Sequence, residues 1–211
     1  MTNQALLLGP PQSSYVRSAR MTCLEKQVPH ALEPIELGSD PHQKLHPWSR
    51  VPVLRHAGLT LYETSAILRY LDEVGSGPRL VPATAAARAV MEQWISAINC
   101  YLYDSIIRNY CLVYVGAALR KQPLDTARVA LGVPNMQRDL ARLDAAYAGG
   151  AWIAGDTISL ADLLVAPIVQ TVAMFPEGTA ALATAPQLSR AFADLQRRDS
   201  FTQAHAGVFG P

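Results

Sequence analysis

The pattern of apolar residues changes sharply along this 211-residue chain. Up to residue 75, short apolar runs alternate with amphipathic helical segments in the order β-α-β-α-β-β-α. Beyond the Gly- and Pro-rich run GSGPRLVPA no strand pattern recurs, and the apolar spacing is helical throughout. Alternating strands and helices predict a small mixed sheet covered by helices. We therefore predict an α+β domain over 1–75, a linker over 76–84 and an all-helical domain over 85–211.

Composition excludes several classes of protein. The formal net charge is +1 and no run of Lys or Arg occurs, which disfavours nucleic acid and acidic membranes as partners. No apolar stretch reaches the length of a membrane span. The three cysteines, Cys23, Cys100 and Cys111, form neither a CxxC pair nor a metal-binding pattern, and the histidines show no ligand spacing. We expect free thiols, a cytoplasmic location and no metal.

The segment RVPVLRHAGLTLYETSAILRYL (50–71) combines two unusual features. Pro52 opens a predicted strand, a position normally found at a sheet edge. Glu63 and Thr64 open the following helix, whose first turn carries unpaired N–H groups and the positive end of the helix dipole. Such a helix start is suited to binding an anion, although an ordinary N-cap would explain Thr64 equally well.

Four segments, in order, resemble the cytosolic glutathione S-transferase family. VPVL followed by LYETSAILRYL is similar to the glutathione-site signature, and HPWSRVPVL to the loop that precedes it. SSYVRSARMTCLEK resembles the first helix of the family, and ISLADLLVAP resembles a capping-box helix of its second domain. The resemblance covers nearly the whole chain. It implies a thioredoxin-like N-terminal domain, an all-helical C-terminal domain, a homodimer and glutathione as co-substrate in a detoxification reaction.

The resemblance also implies a glutathione site. A cis Val51–Pro52 bond would leave the Val51 backbone free to pair with the peptide part of glutathione, as an added strand. Thr64 would bind the γ-glutamyl carboxylate, and Glu63 the neighbouring ammonium group. Arg50 would face the glycyl carboxylate. Two nearby side chains are either helpers of Arg50 or merely solvated charges: Lys44 and His46.

The residue that stabilises the reacting thiolate is expected at the start of the first helix. Ser13 matches the serine of the family pattern, with Ser14 and Tyr15 as alternatives if the loop shifts. A serine hydroxyl donates a hydrogen bond to the thiolate but cannot act as a base. The resemblance includes a subset of the family that has a cysteine at this position. This chain has none there, and Cys23 lies deeper in the helix, so we expect conjugation rather than disulfide exchange.

A stripe on the long helix is a candidate for the second-substrate site, facing the loop at Pro10 and Pro11. Its aromatic members suit a flat hydrophobic electrophile, although plain core packing explains the same spacing. The stripe comprises Tyr103, Ile107, Arg108, Cys111 and Tyr114.

These observations predict an enzyme that conjugates reduced glutathione to a hydrophobic electrophile. A glutathione-dependent isomerase or dehalogenase on the same scaffold is an alternative, as is a non-enzymatic interaction module. Proteins of the last class often lose the Glu-Ser/Thr pair. The presence of Arg50, Glu63 and Thr64 therefore favours a working glutathione site.

Overall fold

The computed structural model describes residues 4–208. The chain forms two compact units. The first runs to Val81 and resumes at Gln196, and the second spans Pro82–Leu195.

The described residues of the first unit form four strands and four helices. They are β1 (Ala5–Leu8), α1 (Ser14–Glu25), β2 (His30–Glu33), α2 (Asp40–Leu45), β3 (Val53–His56), β4 (Leu59–Leu61), α3 (Thr64–Val74) and, near the C-terminus, α10 (Asp199–His205). This order over residues 5–74 is the one that the apolar pattern predicts.

The four strands form one mixed sheet in the order β2-β1-β3-β4. β1 pairs with β2 in parallel, and β3 is antiparallel to both β1 and β4. β2 is an outermost strand of the sheet and ends at Glu33. The next residue is Pro34, whose nitrogen cannot donate a hydrogen bond to a neighbouring strand. Leu8 pairs with Val53 and Leu54 with Leu61. The end of β1, the start of β3 and the end of β4 therefore share one edge of the sheet.

The second unit is helical among the described residues. Its elements are α4 (Ala85–Ala97), a π-helical segment (Ile98–Cys111), α5 (Leu112–Arg120), α6 (Thr126–Tyr147), α7 (Leu160–Val172), α8 (Pro176–Ala183) and α9 (Pro186–Gln196). The capping box predicted for α7 is present, and the buried Asp162 carboxylate accepts from the Ser159 N–H at 2.8 Å. The same carboxylate accepts from the Tyr147 hydroxyl at 2.9 Å and the Ile153 N–H at 3.0 Å.

The division between the compact units, after Val81, lies within the predicted linker 76–84, whereas the chain from Gln196 groups with the first unit and not with the helical domain predicted over 85–211. The chain after residue 75 stays with the first unit because the buried Lys26 ammonium binds the Gly77 and Pro78 carbonyls, at 2.6 and 2.9 Å. The C-terminal segment joins the same unit because α10 packs on α1. Arg20 donates to the Ala204 carbonyl at 2.9 Å, and Arg198 to the Glu25 carboxylate at 2.6 Å. Neither long-range contact has a local sequence signal.

Candidate active site

Three predicted site segments meet at one edge of the sheet in the first unit. Ser13 follows β1, the Val51–Pro52 bond precedes β3, and Glu63 follows β4. Gly9 shows how closely the first two segments approach. A Cβ atom at Gly9 would lie 2.7 Å from Val16 Cγ2 and 3.1 Å from Val51 Cβ. The topology therefore brings together residues that are far apart in the sequence.

Ser13 is the N-cap of α1. Its backbone is extended, with φ −63° and ψ 126°, and its Oγ accepts the Val16 N–H at 3.4 Å. That contact uses the oxygen as an acceptor and leaves the hydroxyl hydrogen for another partner. Within residues 4–208 this hydroxyl donates to no acceptor. The half-buried Ser13 can thus donate to an anion at the start of α1.

Ser14 and Tyr15 occupy the first two positions of α1 itself. Ser14 is buried, and its carbonyl accepts the Ser18 hydroxyl at 3.1 Å. Tyr15 is half-buried. The two alternatives to Ser13 remain predictions.

Cys23 is fully buried in α1, two turns beyond the helix start. Burial raises the pKa of its thiol to about 12. Since the thiolate is the nucleophilic form, this cysteine is unreactive near neutral pH.

The Val51–Pro52 peptide bond is cis, as the family resemblance implies. β3 begins one residue later, at Val53. Among the described residues, neither the N–H nor the C=O of Val51 forms a hydrogen bond with another backbone group. Arg50 is exposed beside it. The backbone of Val51 is therefore available to a peptide-like ligand.

Glu63 and Thr64 form the start of α3. Glu63 is the N-cap and has φ +68°, a region that residues with a side chain rarely adopt. Its exposed side chain forms no hydrogen bond or ion pair within the described part of the chain. Thr64 is the first helical residue and is 7% exposed. The helix start thus offers N–H groups, a hydroxyl and a carboxylate to a ligand that carries both charges.

Aromatic rings pack beside this helix start. His46 is buried and lies 4.9 Å from the Tyr62 ring and 6.2 Å from the Trp48 ring. Burial lowers the pKa of His46, and the nearby Glu63 carboxylate opposes that shift. Trp48 is 66% exposed. His46 therefore belongs to a packed cluster, whereas Lys44 is exposed, and a role of either as a helper of Arg50 stays a prediction.

The predicted second-substrate stripe lies in the second unit. Ile107 and Cys111 are buried, and burial raises the pKa of Cys111 to about 12. Arg108 lies 5.4 Å from the Tyr103 ring centre and forms an exposed ion pair with Asp104. Most of the stripe lies on the π-helical segment, where Leu112 N–H bonds to the Ile107 carbonyl. The α-helical spacing that grouped these residues does not apply to this segment.

Tyr114 of this stripe already uses its hydroxyl group. It donates to the Glu177 carboxylate at 2.7 Å, and its ring stacks on Phe175 at 4.3 Å. Partial burial and the Glu177 carboxylate raise the pKa of Tyr114 to about 12. Tyr110 donates to the same carboxylate at 3.0 Å. Neither phenol is a free donor or a base near neutral pH.

Two further properties bear on the function. Across residues 4–208, no cluster of three or more His, Cys, Asp or Glu side chains could hold a metal ion. Over the same residues, no helix combines the length and apolar character that a membrane span requires.

Comparisons with known proteins agree on one family. The family model described as glutathione S-transferase, N-terminal domain, matches residues 12–74, and the model of the C-terminal domain matches residues 106–199. A glutathione S-transferase of Hypomyces subiculosus is 30% identical over 88% of this chain and 91% of its own. A maleylacetoacetate isomerase of Rattus norvegicus is 25% identical over 89% of both chains. A solved glutathione transferase structure from Populus trichocarpa has the same fold, with a TM-score of 0.87 at 23% identity, covering 97% of this chain and 99% of the other.

Proposed function

This chain belongs to the glutathione S-transferase family and is a glutathione transferase, and we propose that the Ser13 hydroxyl stabilises the thiolate of glutathione. One observation carries this proposal. Ser13 caps α1 and has a hydroxyl hydrogen that no described acceptor takes, and the side chains of Val16 in α1 and Val51 both lie close to Gly9.

Glutathione would bind along the shared sheet edge. The N–H and C=O of Val51 would pair with its cysteinyl backbone, next to Pro52. The start of α3 would hold the γ-glutamyl end, its carboxylate on the Thr64 N–H and hydroxyl and its ammonium on Glu63. Arg50, exposed beside Val51, would face the glycyl carboxylate.

The chemical step follows from the state of the thiol. A free thiol has a pKa near ~8.5 and is mostly protonated at neutral pH. A hydrogen bond from Ser13 favours the charged sulfur, and the released proton passes to solvent. The thiolate then attacks the electrophilic carbon, forming a C–S bond as the leaving group departs with its electron pair.

The second substrate is proposed to be a flat hydrophobic electrophile that contacts the stripe of the second unit. The half-exposed rings of Tyr103 and Tyr114 support this proposal. Because the Tyr114 hydroxyl is bonded to Glu177, it would offer its ring face and not a hydrogen bond. Three further members of the stripe complete the proposed site: Ile107, Arg108 and Cys111.

The assembly and location of the protein are also proposals. We propose a homodimer, as is usual for this family, acting in the cytoplasm. The free state of Cys23, Cys100 and Cys111 is compatible with a reducing compartment.

Retention on immobilised glutathione tests the binding part of the proposal. We expect the wild type to be retained and Thr64→Ala to elute early, because the variant lacks the hydroxyl at the start of α3. Thr64→Ser, which keeps the hydroxyl, is the matched control and should be retained. Conjugation of glutathione to chloro-dinitrobenzene then tests the chemistry. A wild type that fails to bind glutathione would overturn the proposed site.

A second candidate function is glutathione-dependent isomerisation. Relatives named maleylacetoacetate isomerase are 25% identical over 89% of this chain in Rattus norvegicus and 26% identical over 96% in Drosophila melanogaster. An isomerase would return glutathione unchanged, whereas a conjugating enzyme consumes it. Measuring free thiol during turnover of maleylacetoacetate and of chloro-dinitrobenzene separates the two reactions.

A further inference from the structure

His42 bridges two backbone groups from the interior of α2. Its Nδ1 lies 3.0 Å from the Gly38 nitrogen, and its Nε2 lies 2.9 Å from the Arg50 oxygen. The residue is fully buried, with 0% exposure. A backbone N–H only donates and a carbonyl only accepts. Nδ1 must therefore accept and Nε2 must carry the hydrogen, so the contacts specify a neutral ring with one tautomer.

The backbone of α2 holds this ring in place. Ser39 caps the helix, and its Oγ accepts the His42 N–H at 3.4 Å. The His42 carbonyl accepts the His46 N–H at 2.9 Å. Both sides of the ring and both main-chain groups of His42 thus have partners.

The bond to Arg50 has a consequence for Val51. The Arg50 carbonyl and the Val51 N–H belong to one planar peptide group. This group is trans, since the cis peptide bond found in the described residues is the next one, Val51–Pro52. In a trans peptide these two groups point in opposite directions. A hydrogen bond that fixes the carbonyl therefore fixes the direction of the Val51 N–H.

We infer that His42 is a positioning residue for glutathione, acting through the Arg50–Val51 peptide group. The inference rests on the proposed function, in which the Val51 N–H pairs with the peptide part of glutathione. His42 touches no part of the ligand in this scheme. It holds the Arg50 carbonyl, so that the Val51 N–H already points to its acceptor before binding.

The surrounding loop shows why such a support is needed. Ser49 has φ +50° and donates its N–H to the His46 carbonyl at 2.8 Å, which closes a turn before Arg50. The Arg50 side chain is exposed. His42 is the side chain that ties the Arg50 main chain to α2 within the described residues.

Two substitutions separate the two bonds of the ring. In His42→Gln, the amide nitrogen reaches about as far as Nε2 and can still donate to the Arg50 carbonyl. In His42→Asn, the amide oxygen reaches about as far as Nδ1 and can accept from Gly38, but the bond to Arg50 is lost. Each variant keeps one bond and is the control for the other.

The test measures the Kd for glutathione by titration calorimetry, with kcat at saturating glutathione and Tm for each protein. We expect His42→Asn to weaken binding about tenfold, the equivalent of one lost hydrogen bond, and His42→Gln to bind nearly as the wild type does. The kcat should be unchanged in both variants, because Ser13 lies on another segment.

Equal Kd values for the wild type and both variants would overturn the inference. It would also be overturned if the two variants bound glutathione equally weakly and their loss of affinity paralleled a loss in Tm. A wild type that does not bind glutathione would overturn the proposed function, and the inference with it. If His42→Asn does not fold, the inference is tested by ¹⁵N NMR of the wild type, which shows which ring nitrogen of His42 carries the hydrogen. A His42 ring with its hydrogen on Nε2, retained when glutathione binds, is the expected result, and a hydrogen on Nδ1 contradicts it.

Discussion

Lys26 is a buried ammonium group with three acceptors. Besides the Gly77 and Pro78 carbonyls, its Nζ lies 3.1 Å from the Asp72 carboxylate, and these two side chains are 2% and 0% exposed. The Asp72 carboxylate also accepts the Leu80 N–H at 2.9 Å. Removing one partner of a buried ion pair leaves the other charge without compensation. This pair therefore holds the chain after α3 against the first unit.

Replacing Lys26 by methionine should destabilise the protein strongly. We expect Lys26→Met to lower the free energy of unfolding by about 3–5 kcal/mol, because Asp72 keeps its buried charge. Arg79→Met is the matched control, since Arg79 and Glu73 form an ion pair whose side chains are 67% and 64% exposed. That change should cost about 0–1 kcal/mol in urea unfolding. Similar losses for the two variants would show that the buried pair contributes no more than a surface pair.

Single residues differ in how well the sequence predicts them. The positions of Ser13, Glu63 and Thr64 at helix starts follow from local motifs, and the structure has both helix starts at these residues. The sequence does not single out His42, because its spacing from the other histidines fits no metal site and no motif marks a histidine that bonds to the backbone. Lys26 gave no signal either, since its partners lie after α3 in the sequence.

Among the elements, α10 depends on its contact with α1. Its His205 ring stacks on Phe201 at 3.9 Å, and Nδ1 lies 2.8 Å from the Phe201 carbonyl, so that Nδ1 donates. Nε2 is buried without a hydrogen-bond partner in the described chain. Burial, together with the charges of Arg17 and Arg20, lowers the pKa of His205 from 6.5 to about 4. The His205 ring is therefore neutral in the folded chain near neutral pH.

Acid should therefore lower the stability of the folded chain through His205. The unfolded chain takes up the His205 proton near pH 6.5, whereas the folded chain takes it up only near pH 4. Between these values the unfolded state binds more protons, so this contribution to stability is complete above pH 6.5 and is lost as the pH falls towards 4. Urea unfolding at several pH values measures it.

The variant His205→Asn provides the control for this pH effect. Its amide group can still donate to the Phe201 carbonyl but does not titrate. We expect its stability to depend less on pH than that of the wild type over the same interval. An identical pH dependence in the two proteins would exclude His205 as its source.

The elements themselves were largely predictable. Apolar periodicity gave the β-α-β-α-β-β-α order, and a proline marked the end of β2. Periodicity does not reveal the π-helical segment, because the sequence is interpreted with α-helical spacing and no residue type marks the change to i→i+5 hydrogen bonds. It also could not assign α10 to the first unit, since that depends on Arg20 and Arg198.

At the scale of the whole molecule, the family is established by matches to both halves of the chain. The proposed glutathione site could be argued from the sequence because one local segment, residues 50–71, contains most of its residues. The electrophile was not predictable in the same way. The stripe meant to contact it contains buried residues, such as Ile107 and Cys111, as well as half-exposed rings. Core packing and substrate contact select the same residue types.

The central claim is that Ser13 stabilises the thiolate of bound glutathione. It is tested most directly by the pKa of that thiol, followed through the ultraviolet absorbance of the thiolate as the pH is raised. The wild type and the control Ser14→Ala should show a pKa well below the ~8.5 of a free thiol. In Ser13→Ala the pKa should return towards that value, and kcat near neutral pH should fall roughly 10²-fold while glutathione still binds. A bound thiol with the same pKa in the wild type and in Ser13→Ala would contradict the account.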